Sequence, residues 1–217
     1  MKKDYCDITI LIDKSGSMAG VVSDTIGGVN SFVDKQKAVK GECRLSIHQF
    51  DDQYETTYDC VDIQYSPKLT NENYQTRGNT ALLDAIGKTI NTLGSRLGKL
   101  PEKEKPKKVI FVIQTDGQEN ASKEFKRDKI FEMISHQRDK YNWQFIFMGA
   151  NQDAIATATS FGIASSSTLT YANNKMGNFH AYSGLACNIA SYRSAASSTV
   201  DFSENDRKLQ EQELQKV

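Results

Sequence analysis

Two runs of side chains set the terms for this chain. Ile8-Thr9-Ile10-Leu11-Ile12 is almost wholly aliphatic and stops at Asp13, and Val109-Ile110-Phe111-Val112-Ile113 is continuous and gives way to Gln114-Thr115-Asp116. Short β-branched and aliphatic runs read as buried strands. The second run lacks any in–out alternation, as expected of a central strand covered on both faces. A chain carrying such strands needs helices to cover them, and the periodicity supplies them.

Val22, Ile26, Val29 and Val33 mark a helix over 19–39, in which Gly27-Gly28 points to close packing on a neighbour. Leu82, Leu83, Ile86, Ile90, Leu93 and Leu97 mark a second over 81–97. Ile130, Phe131 and Ile134 mark a third over about 123–138, and shorter or weaker patterns follow at 153–161 and 172–197. Between the first two helices, Cys43–Phe50 and Tyr54–Gln64 alternate about Asp51-Asp52-Gln53, the signature of a β-hairpin with a solvated turn. His48, alternating with core positions, reads as a partly exposed strand residue. Trp143–Met148 is a further buried strand, and Ser166–Tyr171 a final edge strand. Alternating strands and helices imply an α/β, Rossmann-like three-layer sandwich: a mostly parallel central sheet, one antiparallel hairpin strand, and helices on both faces. Residues 1–200 make one domain. Residues 201–217, charged and Gln-rich, read as a polar tail, helical or disordered.

Composition narrows the function. Lys plus Arg and Asp plus Glu both number 27, which argues against a general nucleic-acid binder. No apolar run approaches the ~20 residues of a membrane span. Met1-Lys2-Lys3-Asp4-Tyr5 enters the first strand at once, leaving no room for a signal peptide. Cys6, Cys43, Cys60 and Cys187 are scattered without CxxC spacing and read as free thiols, so a cytoplasmic location is expected.

The chemistry gathers after the strands. Asp13-Lys14-Ser15-Gly16-Ser17 sets a carboxylate and two hydroxyls at alternate positions of a tight loop. Asp116 ends the central strand, and Thr80, at the start of the second helix, belongs at the same rim as a candidate ligand or a helix cap. Ligands of open α/β sheets bind outside the carboxyl ends of the strands. Two carboxylates and three hydroxyls, with no His or Cys, suit Mg²⁺ and suit Zn²⁺ poorly. Gly16 and Gly117 would let the two loops turn.

The segments Asp13-Lys14-Ser15-Gly16-Ser17-Met18, Gly78-Asn79-Thr80-Ala81-Leu82 and Thr115-Asp116-Gly117-Gln118-Glu119-Asn120 resemble the von Willebrand factor type A domain. In particular they match its metal-ion-dependent adhesion site (MIDAS), whose pattern is DxSxS, a distant Thr and a distant Asp. The resemblance covers roughly residues 4–195. It implies that Ser15, Ser17 and Thr80 are hydroxyl ligands and that Asp13 and Asp116 carry the charge, directly or through water. The cofactor expected is Mg²⁺, with Mn²⁺ or Ca²⁺ as the other hard cations. The function implied is protein–protein recognition without catalysis, a partner's Asp or Glu completing the coordination. The compact chain is similar to the small intracellular bacterial and phage members that work in multiprotein assemblies.

Two other readings stand beside this one. A haloacid-dehalogenase-like phosphotransferase or phosphatase would use Asp13 as nucleophile, but needs an acid two residues on, where Ser15 stands. A metal-free scaffold would use all three segments as caps and turns. No GxSxG, GxxxxGK[ST] or GxGxxG motif offers another enzyme class. Around the metal, Lys14, Met18, Gln75, Arg77, Asn79, Gln118, Glu119 and Asn151 form the expected partner-contacting rim, and Asn120 is expected to brace the Asp116 loop.

Overall fold

The computed structural model describes residues 1–150 and 153–216. Six strands form one sheet: β1 (Lys2–Asp13), β2 (Glu42–Phe50), β3 (Tyr54–Asp62), β4 (Pro106–Thr115), β5 (Gln144–Ala150) and β6 (Thr168–Tyr171). Their order is β3-β2-β1-β4-β5-β6, and every neighbouring pair is parallel except the β2–β3 hairpin. Among the described residues six α-helices complete it: α1 (Val22–Lys37), α2 (Leu82–Gly98), α3 (Arg127–Tyr141), α4 (Ala154–Ser160), α5 (Lys175–Arg193) and α6 (Glu204–Leu214).

The continuous apolar strands are explained by two separate cores. On β1, Ile8, Ile10 and Ile12 face α1 and α5, packing with Val29, Phe32, Tyr182 and Leu185. Leu11 turns the other way, toward Ile86 and Ile90 of α2. On β4, Ile110 and Val112 join the first core, while Val109, Phe111 and Ile113 join the second with Ile130 and Ile134 of α3. A strand buried on both sides has no solvent face, so no alternation survives in its sequence. Gly28 accounts for the glycine pair in α1. A Cβ there would lie 2.2 Å from Cδ2 of Tyr182, whereas one at Gly27 meets nothing within 4 Å.

Two residues of the hairpin are more enclosed than their patterns imply. Asp51 is fully buried at the hairpin turn, where its carboxylate accepts from the Gln53 N–H and from Arg77. His48 is also buried; it stacks on Tyr54 and its Nδ1 lies 3.0 Å from Thr56 Oγ1. Of the thiols, all four are free: Cys6 and Cys43 are buried, Cys60 is half-buried and Cys187 exposed. No helix among the described residues is long and apolar enough to cross a membrane.

The polar carboxyl-terminal segment contains α6, opened by a capping box between Ser203 and Asp206. It is held to the domain by a polar group. Gln210, almost wholly buried, accepts from the Ala172 N–H at 3.0 Å and donates to the Gly177 carbonyl at 2.9 Å.

The topology fixes where a ligand belongs. β1 lies at the centre, with β2 on one side and β4 on the other, so the chain's progression across the sheet reverses between β1 and β4. The crevice outside the carboxyl ends of those two strands is the topological switch point. Asp13 and Asp116 stand there.

Candidate metal centre

The sequence places an acid at the end of each central strand, and the loops aim both at one point. Asp13, fully buried, accepts from the Ser15 N–H at 2.7 Å through Oδ1 and from the Thr115 hydroxyl at 2.5 Å through Oδ2. Its own carbonyl takes the hydroxyl of buried Tyr74 at 2.7 Å. Ser15 Oγ and Ser17 Oγ lie 3.1 Å apart, and Ser17 donates to Asp116 Oδ1 at 2.5 Å. Thr80 arrives from the third segment: a Cβ placed on Gly117 would sit 2.7 Å from Thr80 Oγ1 and 3.5 Å from Asp13 Oδ2. The structure therefore brings Asp13, Ser15, Ser17, Thr80 and Asp116 into one cluster.

The threonine is not a helix cap. α2 begins after Ala81, and no side chain caps it there. Instead, backbone bonds moor the Thr80 loop to its surroundings: Gly16 N–H to the Gly78 carbonyl, Arg77 N–H to the Lys14 carbonyl, and Ala81 N–H to the Asp51 carbonyl. Asn120, expected to brace the Asp116 loop, ties that loop to this one, accepting from the Thr80 N–H at 2.9 Å through Oδ1.

The electrostatics fit a cation. Burial pushes the Asp13 carboxyl up to about 6, although the Thr115 and Ser15 hydrogen bonds pull the other way. Burial also raises Asp116, opposed by its bonds from Ser17 and Asn173. Neither acid has a cationic partner among the described residues; Lys14, next in sequence, gives its ammonium to Glu55 at 2.7 Å. Two desolvated carboxylates without a counter-charge, flanked by three hydroxyls, form an all-oxygen set suited to Mg²⁺, Mn²⁺ or Ca²⁺. No group of three or more His, Cys, Asp or Glu capable of holding a metal occurs among the described residues.

The expected rim divides. Met18 is fully buried and Lys14 nearly so, the latter committed to Glu55 and Asp51, so neither can meet a partner. Glu119 is spent internally: it accepts from the backbone of Leu83, Ala121 and Ser122, tying the Asp116 loop to the first turn of α2. Arg77 is exposed yet paired with Asp51 and Glu55. Gln75, Asn79 and Gln118 are exposed. Asn151 lies outside the described residues. Gly117 is needed for the close approach of Thr80, whereas Gly16 is not, since a Cβ there would meet only ordinary contact at 3.5 Å.

Sequence reasoning missed Thr115, Tyr74 and Asn173. Thr115 lies within a recognised segment and could have been found there. Asn173, which donates to Asp116 Oδ2 at 2.9 Å, sits beyond the edge strand in no motif.

The profile described as the von Willebrand factor type A domain matches residues 7–183. The chain belongs to that family. No curated protein sequence matches it. Among solved structures, this von Willebrand factor type A chain is similar to proximal thread matrix protein 1 from the mussel byssus with a zinc-occupied MIDAS motif. The identity is 17%, the TM-score 0.55, and the alignment covers 88% of this chain and 46% of that one. A von Willebrand factor type A protein from Catenulispora acidiphila aligns at 11% identity and TM-score 0.59, over 85% of this chain and 42% of that one. The manganese-loaded TRAP protein of Plasmodium vivax aligns at 15% identity and TM-score 0.56, covering 81% and 71%. The chain thus spans less than half of the mussel and Catenulispora chains. These identities speak to the fold.

Proposed function

We propose that this von Willebrand factor type A domain is a Mg²⁺-dependent protein-binding module without catalysis of its own. Asp13, Ser15, Ser17, Thr80 and Asp116 would together form a complete MIDAS. The observation that carries the reading is the convergence of those five oxygen-bearing side chains at the switch point between β1 and β4. Similar folds solved with manganese or with a zinc-occupied MIDAS support a cation there. When bound, the cation supplies a Lewis-acidic position that takes up a carboxylate oxygen.

The chain's own residues do the rest. Asp13 and Asp116 hold charge where burial makes an unpaired carboxylate costly, which gives the site its drive to take a cation. The hydroxyls add oxygen without charge, leaving the cation electron-poor and receptive to an Asp or Glu from a partner. Around that position the exposed Gln75, Asn79 and Gln118, with Arg77, offer polar contacts that would select the partner. Four free thiols support a reducing compartment such as the cytoplasm. A small intracellular bacterial or phage protein acting in an assembly fits this design.

Phosphotransfer through Asp13 is disfavoured. Such chemistry needs a general acid two residues after the nucleophile, and the hydroxyl of Ser15 stands there instead.

Calorimetric titration with Mg²⁺ and Mn²⁺ tests the reading, on wild type and on the Asp13→Ala/Asp116→Ala variant, with circular dichroism as the fold control. Saturable binding lost in a folded variant is the expected result, followed by partner capture that a chelator abolishes. Absence of binding by wild type, or turnover of an aryl phosphate with Mg²⁺, would overturn it.

A further inference from the structure

Asn173 follows β6 on the way to α5, and its amide is divided between two tasks. Nδ2–H donates to Asp116 Oδ2 at 2.9 Å. Oδ1 is buried and accepts from no group among the described residues. The amide cannot simply be turned over, because that would set Oδ1 against a carboxylate oxygen. Its backbone is held as well. The neighbouring Ala172 N–H is bound by Gln210, the Asn174 N–H returns to the Ala172 carbonyl at 2.8 Å, and the Asn174 side chain caps α5 through the Gly177 N–H. A residue so fixed presents an acceptor beside Asp116 with nothing among the described residues to satisfy it.

We propose that Asn173 is a positioning residue of the metal centre: Nδ2 holds Asp116 toward Ser17, and Oδ1 accepts a hydrogen bond from a water carried by the cation. The inference rests on the reading that this site takes Mg²⁺. Mg²⁺ dehydrates reluctantly and keeps several waters, whose protons are strong donors. Groups that bond to metal ligands and to metal-bound water orient the first set and tune affinity by 10- to 100-fold. The orphaned Oδ1 supplies what such a water needs, and no other task for it exists among the described residues.

Mg²⁺ titration of wild type, Asn173→Leu, Asn173→Asp and Asp116→Asn tests this, with thermal unfolding in chelator as the fold control. Asn173→Leu, which removes donor and acceptor at similar size, is expected to bind at least tenfold more weakly. Asn173→Asp keeps an acceptor oxygen but loses the Nδ2 donor and sets a second carboxylate beside Asp116, so it is expected to bind more weakly than wild type and more tightly than Asn173→Leu. Asp116→Asn is expected to lose binding. Leu binding within twofold of wild type, or Leu and Asp weakened equally as a packing role would require, overturns the inference while leaving the metal site standing. No binding by wild type overturns both.

Discussion

Thr80 and Asn120, forty residues apart, hold each other by two hydrogen bonds. The Thr80 N–H donates to Asn120 Oδ1 at 2.9 Å, and the Asn120 N–H donates to the Thr80 carbonyl at 3.1 Å. This clamp joins the start of α2 to the loop after β4, and so fixes Thr80 relative to Asp116. Asn120→Ala deletes the side-chain half alone. The expected outcome is Mg²⁺ affinity weakened roughly fivefold, equivalent to about 1 kcal/mol. Titration of the variant beside wild type checks it, and an unchanged affinity would mean that the backbone half suffices.

The paired glycines of α1 should respond in opposite directions. Tyr182 cannot swing away from a methyl on Gly28, because its hydroxyl donates to buried Gln114. Gly28→Ala is therefore expected to destabilise by about 1–3 kcal/mol. Gly27→Ala meets open space and is expected to stabilise by up to about 1 kcal/mol through helix propensity. Urea midpoints at constant m-value measure both.

The same two glycines illustrate how much of this fold can be read in the chain. The pair marks close packing in the sequence, but only the structure assigns it to Gly28. The central strands and the three motif segments were legible because each is local: an apolar run, then oxygen donors at fixed spacing. His48 and Asp51 were misjudged for the opposite reason. β2 and the turn after it are enclosed over most of their length, so their polar residues lie inside and are satisfied by distant partners such as Thr56 and Arg77. The docking of α6 escaped similarly, since its anchor is Gln210, a residue that composition counts as solvent-loving. Asn173 left no trace because its meaning lies in Asp116, 57 residues away.

His48 gives the stability a pH dependence whose sign is fixed. Burial pushes its imidazole down from the usual 6.5 to about 4. The unfolded chain then binds a proton through a range in which the folded chain does not. The contribution is fully present above pH 6.5 and is lost as pH falls toward 4, by up to about 3 kcal/mol in all. His48→Gln removes the titrating group, and the decline in unfolding free energy over that window is expected to flatten. A profile identical to wild type would assign the acid sensitivity to other groups.

Gly117 and Gly16 make the sharpest contrast at the site. A Cβ on Gly117 would fall 2.7 Å from Thr80 Oγ1, inside the distance at which two such atoms can coexist, and 3.5 Å from Asp13 Oδ2. The Thr80 hydroxyl must move, whereas the approach to Asp13 is ordinary contact. A Cβ on Gly16 meets only the Gly78 carbonyl at 3.5 Å, an ordinary contact. Gly117→Ala is thus expected to lower Mg²⁺ affinity by about tenfold or more, the equivalent of at least about 1.4 kcal/mol. Gly16→Ala is expected to stay within about twofold. Parallel titrations of the two variants decide the matter. Equal losses would mean that both loops need the freedom of glycine, and an unaffected Gly117→Ala would place Thr80 outside the coordination.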